Sequence, residues 1–192
     1  MAVDLEAFIL IGGRSTRFGT DKAFFEYEGE TLALRTVATV EAAFPDFETR
    51  FVAASEEQFR IQEDSLARAV VFDLRKGFGA WSGLDAALSH SEAEWTLVLA
   101  CDLPFITIHF LRSLVEMCGP DIEAVVSRDA TGREQPLCSV YRTAAVRQAV
   151  ERHMATVDNL PPLRELIAEL RTTFVDAASD ELRNVNSPAD LV

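Results

Sequence analysis

Ala7-Phe-Ile-Leu-Ile-Gly-Gly-Arg-Ser-Thr-Arg-Phe-Gly-Thr-Asp-Lys22 passes from an apolar run through a glycine pair into a cationic loop. The five apolar residues Ala7 to Ile11 predict a buried strand, and Gly12 and Gly13 predict its end. Arg14, Arg17 and Lys22 follow, with one more glycine at Gly19. Without side chains at Gly12 and Gly13 the backbone can come close to a ligand, and successive N–H groups can point at oxyanions. Cations nearby can neutralise the remaining charge. The stretch is not a Walker A loop, because no register supplies Gly, four residues and then Gly-Lys-Ser/Thr, and G-x-G-x-x-G does not occur in it. An ordinary strand-to-loop turn is the plain alternative for the glycine pair alone.

Lysine usage adds weight to the loop. The chain holds two lysines, Lys22 and Lys76, against 16 arginines. An ammonium is a compact charge that fits between phosphates, whereas guanidinium is a planar fork. Residues 12–22 carry a local charge of +2 in a chain of net charge −13. That overall charge argues against nonspecific binding to nucleic acid or to an anionic membrane surface. No window reaches the roughly 18 apolar residues of a membrane span. The acidic start Met1-Ala-Val-Asp-Leu-Glu has no long apolar core and predicts no secretory signal. Cys101, Cys118 and Cys138 form no C-x-x-C pair, which fits reduced thiols in a cytoplasm, and His90, His109 and His153 offer no zinc spacing.

At 192 residues one domain, 1–192, with a sizeable core is expected. Strands are predicted at Phe51–Ala54, Ala69–Asp73, Trp95–Ala100, Glu123–Ser127, Gln135–Tyr141 and Thr173–Asp176. Leu182–Asn186 is read as a further short pairing segment, and Ala23–Glu30 as irregular or weakly extended. Helices are predicted after Thr31, after Ser55, over Gly83–His90, from Thr107 to about Cys118, over Thr143–Met154 and from Pro161-Pro162 to Leu170. Thr31 and Ser55 are expected caps. Near-continuous apolar strands alternating with helices predict an α/β sheet covered on both faces. Ligands of such sheets lie beyond the carboxyl ends of the strands, where Gly12-Gly13, Asp73 and Cys101-Asp102 all fall.

The spacing G-G-x-S-x-R-F-G-x-D-K resembles the signature loop of the molybdenum cofactor guanylyltransferases and their nucleotidyltransferase relatives. Their usual Leu-Ala-Gly-Gly stands here as Leu10-Ile11-Gly12-Gly13. Four further segments carry the resemblance, which runs from about residue 7 to 191: Leu99-Ala-Cys-Asp-Leu-Pro-Phe105, Phe78-Gly-Ala-Trp-Ser-Gly-Leu84, Gln135-Pro-Leu-x-x-x-Tyr-Arg142 and Asn184-Val-Asn-Ser-Pro188. It implies a Rossmann-like three-layer sandwich with a mostly parallel sheet. It also implies a Mg²⁺-dependent transfer of GMP from GTP to molybdopterin, or its molybdenum form, with release of pyrophosphate.

The resemblance assigns roles residue by residue. Arg17, Lys22 and Asp102 would be catalytic, with Asp102 the magnesium ligand. Leu10, Ile11, Gly12, Gly13, Lys22, Asp73, Gly79 and Asp102 would bind the nucleotide, and Gln135, Asn184 and Asn186 the pterin substrate. Cofactor-insertion proteins or molybdoenzymes would be partners. Read without the resemblance, Asp102 and Asp73 also suit turns, Asn186 suits a cap, and Trp81 suits the core better than a stacked ring. One departure stands out: Ala53 occupies the place after the second strand where the family commonly has a nucleotide-contacting asparagine. A sister transferase using CTP or another small phosphate, or a non-catalytic nucleotide-binding relative, remains an alternative.

Overall fold

Alternate residues of β1 (Leu5–Leu10) pack into two separate cores. Ala7, Ile9 and Ile11 join one, and Phe8 and Leu10 join the other. A strand whose two faces are both buried must be apolar at every position, which is why this run shows no polar alternation. The structure is a computed structural model and describes residues 3–12, 21–56, 70–75, 77–156, 160–178 and 180–191. Gly13, Arg14, Arg17, Gly19 and Lys76, and most of the helix expected after Ser55, lie outside the described residues.

After β1 come a hairpin of β2 (Glu26–Tyr27) and β3 (Glu30–Thr31), α1 (Leu32–Ala43), β4 (Thr49–Ala53), β5 (Val70–Phe72), α2 (Ala80–His90), β6 (Trp95–Ala100) and α3 (Ile108–Glu116). Then follow β7 (Ala124–Arg128), β8 (Glu134–Arg142), α4 (Thr143–Thr156), α5 (Leu163–Glu169) and β9 (Thr172–Asp176). Thr31 and Thr107 cap α1 and α3, their hydroxyls accepting from Leu34 N and Phe110 N. The sheet order is β5-β4-β1-β6-β8-β7-β9, parallel apart from β8, which is antiparallel to both its neighbours. α1 and α3 cover one face, and α2, α4 and α5 the other. This is the expected α/β three-layer sandwich. Among the described residues no helix is long and apolar enough to cross a membrane.

One expectation is sharpened and one needs correction. Ala23–Glu30, read as irregular or weakly extended, holds short extended pieces: Lys22–Phe24 form a 3-10 turn, and Glu26–Thr31 form a two-stranded hairpin closed by Glu28 and Gly29. Its strands are two residues long, too short for an alternating pattern to show. Leu182–Asn186 does not form a strand, although Val185 N–H donates to the Asp102 carbonyl at 2.9 Å.

Pro136 sits inside β8, at the place where pairing jumps from Val126↔Ser139 to Ser127↔Gln135. A residue without an N–H is tolerated at such a bulge. The bulge is tied by the Tyr141 hydroxyl, which donates to the Pro136 carbonyl at 2.7 Å from a fully buried ring. Tyr141→Phe is expected to lower unfolding free energy by about 1–2 kcal/mol, since it strands that carbonyl. Urea denaturation of the two proteins measures the difference.

Candidate functional site

The parallel pairing of β1 with β6 sets the geometry of the site. Their ladder ends with Cys101 N–H donating to the Leu10 carbonyl at 3.2 Å, so Gly12 and Asp102 leave the sheet side by side. On the other flank, Ile11 N–H donates to the Val52 carbonyl. A side-chain carbon added at Gly12 would lie 3.1 Å from Ala54 N and 3.3 Å from Ala54 Cβ. The chain leaving β1 therefore runs close against the chain leaving β4, and a side chain at Gly12 would fit only if Ala54 gave by a few tenths of an ångström.

Lys22 is delivered from the far side of the loop. Asp21 caps the 3-10 turn, its carboxylate accepting from Ala23 N, and buried Ala23 anchors the turn in the core. Lys22 Nζ then lies 3.1 Å from Asp102 Oδ2, across 80 residues of sequence. The two side chains are 13% and 28% exposed. This is a partly solvated pair beyond the carboxyl end of β6.

No group of three His, Cys, Asp or Glu side chains that could hold an ion occurs among the described residues, and Asp102 is the carboxylate that follows β6. Such a donor set fits a magnesium ion delivered with a nucleotide, where one carboxylate suffices because phosphates and water complete the octahedron. It does not fit a protein-enclosed structural metal. Cys101, next to Asp102, is no nucleophile. Burial, with the neighbouring Asp102 charge adding to it, pushes its thiol far above the ordinary range, and Lys22 offsets this only in part. Cys118 and Cys138 are pushed up to about 12, chiefly by burial, and all three are free thiols.

Asp73 lies on another part of the rim. Its N–H donates to the Ala53 carbonyl at 3.1 Å, extending the β4–β5 pairing. Three strand spacings of about 4.8 Å separate β5 from β6, placing Asp73 about 14 Å from Asp102 across the sheet. The two carboxylates do not share one ion. Between them, α2 packs on β1 at Gly83, where an added Cβ would lie 3.2 Å from Leu10 Cδ1. Gly79, one turn earlier, is the N-cap of α2 at φ 58°, a left-handed conformation that favours glycine. Trp81 is buried and donates from Nε1 to the Pro161 carbonyl at 2.7 Å, as the core reading requires.

Gln135 lies at the start of antiparallel β8, hence on the same rim as the end of β6. Asn184 and Asn186 flank buried Val185, whose N–H is bound to Asp102. Gln135 and the Asn184–Asn186 segment thus lie on the β6–β8 side of Asp102, and Asp73 and Gly79 on the β4–β5 side of Gly12.

A family model for the MobA-like NTP transferase domain matches residues 7–174. The chain belongs to this family. A curated relative from Pelotomaculum thermopropionicum is 30% identical over 189 residues, covering 96% of this chain and 88% of its own length. Another, from Geobacillus sp., is 27% identical over 187 residues, covering 94% and 92%. Both bear the name "Probable molybdenum cofactor guanylyltransferase". The crystal structure of molybdopterin-guanine dinucleotide biosynthesis protein A from Archaeoglobus fulgidus shares the fold, with a TM-score of 0.74 at 24% identity over 97% of this chain and 94% of that one.

In this MobA-like protein the C-terminal segment is tied to the residue after β6 by the Val185–Asp102 hydrogen bond and is braced by residues that sequence reasoning missed. Asp190 Oδ2 accepts from Asn186 N and Ser187 N, each at 2.8 Å. Asn186 is therefore held by a cap rather than acting as one. The signal was present in Ser187-Pro-Ala-Asp190, the spacing of a capping box. Arg183 lies over the Phe105 ring at 4.2 Å, and Tyr27 meets that ring edge-on, so the β2–β3 hairpin, the loop after Asp102 and the C-terminal segment converge.

The amides of Asn186 and Ser187, helped by Lys22, hold the Asp190 carboxyl below the usual carboxylate range. A depressed folded-state pKa contributes stability above the unfolded value of about 3.9, and that contribution is lost as pH falls through the folded value. The amide NMR shifts of Asn186 and Ser187 should therefore titrate with an apparent pKa below about 3.9. Asp190→Ala should abolish that titration.

Proposed function

We propose that the chain is a molybdenum cofactor guanylyltransferase, transferring GMP from GTP to molybdopterin or its molybdenum form and releasing pyrophosphate. The observation that carries this reading is the Lys22–Asp102 pair at the joined ends of β1 and β6, in a chain of the MobA-like family. The names of its relatives support the substrates.

The reaction asks little covalent chemistry of the protein. A terminal phosphate oxygen of the acceptor attacks the α-phosphorus in line, forming a new P–O bond as the bond to the β-phosphate bridging oxygen breaks. A phosphate monoester is already anionic at pH 7, so no general base is needed. Lys22 and Arg17 would bind the triphosphate and stabilise the charge that develops as pyrophosphate leaves. Gly12 and Gly13 would present backbone donors, with Leu10 and Ile11 placing them at the nucleotide from the end of the sheet ladder, while Asp73 and Gly79 would border the nucleoside. Gln135, Asn184 and Asn186 would orient the pterin, whose ring edge alternates donors and acceptors as an amide does. Asp102 would hold Mg²⁺, which when bound neutralises phosphate charge. Cofactor-insertion proteins or molybdoenzymes would receive the product, in the cytoplasm where the three thiols stay reduced.

Ala53 favours one second reading. It is fully buried and its carbonyl already accepts from Asp73 N–H, so its methyl group offers no hydrogen bond to a base. A sister transferase selecting CTP fits that feature. Protein incubated with Mg²⁺, molybdopterin and each NTP in turn should release pyrophosphate with GTP; release with CTP alone would select the sister reading, and release with none would remove the enzymatic one. Lys22→Ala and Asp102→Ala should each lower turnover by about 10²-fold or more while leaving the circular dichroism spectrum unchanged.

A further inference from the structure

α2 buries two polar residues in an otherwise apolar interface. Ser82 and Asp85 are three apart and so share one helical face. Both address the segment Asp73–Gly79, which joins β5 to α2. The Ser82 hydroxyl accepts from Phe78 N at 3.2 Å and donates to the Arg75 carbonyl. One turn further on, Asp85 Oδ2 lies 3.8 Å from Arg75 Nε and makes no hydrogen bond. The Asp85 side chain is 3% exposed and that of Arg75 42%.

This is a costly arrangement. A buried carboxylate oxygen without a hydrogen bond loses its hydration, and an alanine or leucine would fill the helix face without that penalty. Burial pushes the Asp85 carboxyl up; Glu151 on α4 adds to this, while Arg75 and His90 oppose it. The folded protein thus binds this proton more tightly than the unfolded chain. Stability therefore falls as pH rises from the ordinary carboxylate pKa through the raised one. Sites that break a local packing rule in this way are expected where function requires it.

We propose that Asp85 is a positioning residue: by its charge beside the Arg75 guanidinium, and together with Ser82, which bonds Arg75 and Phe78, it favours the placement of Arg75 and Phe78, between Asp73 and Gly79, that receives the nucleotide. The loop then meets its ligand preorganised, with Asp73 at one end and Gly79 at the other, and binding need not order it. The proposal rests on the nucleotidyltransferase reading above for the identity of the ligand.

Three variants test it: Asp85→Asn, Arg75→Ala and the double variant. The expected result for Asp85→Asn is a KM for GTP raised about threefold or more, kcat within about twofold of wild type, and a melting temperature at pH 7 equal or higher. The double variant should be no worse than the poorer single one, because both remove the same contact. In the ligand-free protein, amide exchange at Leu74, Arg75, Gly77 and Phe78 should speed up in each variant. An unchanged KM together with unchanged exchange overturns the proposal. So does a lowered melting temperature with kcat and KM shifting together, which would make Asp85 a purely structural residue. If wild-type protein uses no GTP, the functional reading fails by itself, and the exchange measurement still decides whether Asp85 holds the loop.

Discussion

The hydrogen bond from Cys101 N–H to the Leu10 carbonyl closes the β1–β6 ladder, and the site depends on that closure. Parallel pairing puts the carboxyl ends of two strands, some 90 residues apart in sequence, on one rim at one height. Gly12 emerges from one strand and Asp102 from the other. Lys22, returning on a 3-10 turn anchored by Ala23, closes the gap with a 3.1 Å contact. Each side chain needs the other's backbone to be where it is, and the two cores behind β1 and β6 hold both in place.

Around this centre the rim divides. The β4–β5 side and the N-terminus of α2 form a flank whose backbone is packed tightly: Gly12 against Ala54, Gly83 against Leu10, Asp73 hydrogen-bonded to Ala53. The β8 side and the C-terminal segment lie on the other side, pinned by Val185 N–H on the Asp102 carbonyl and by Asp190 on the Asn186 and Ser187 amides. In a chain of net charge −13, any polyanionic ligand meets long-range repulsion, so short-range cations must supply the attraction.

Much of this was legible from residue order. Continuous apolar runs at Ala7–Ile11 and Trp95–Ala100 announced strands buried on both faces, and threonines at 31 and 107 announced helix starts, because these signals depend on a few neighbouring residues. Other features left no local trace. The β2–β3 strands are too short to alternate. The three-residue jump in β8 register exists only against β7. Asp85 sits in a run that reads as an ordinary amphipathic helix, and its buried, unbonded oxygen emerges only once α2 packs on the sheet with Arg75 beside it. The capping spacing of Ser187 and Asp190 was local and readable, and it showed Asn186 to be held rather than holding.

The sequence by itself determined the layered α/β architecture, the strand that ends in the glycine loop, and the residue types able to handle phosphate and a divalent ion, since all of these follow from hydrophobic period and side-chain chemistry. Tertiary structure alone decided which of these residues meet. It paired Lys22 with Asp102, held Asp73 about 14 Å away across three strand spacings, and tied the C-terminal segment to Asp102. Strand order and direction set those separations, and they are fixed only when non-local hydrogen bonds form, a choice that no stretch of neighbouring residues encodes.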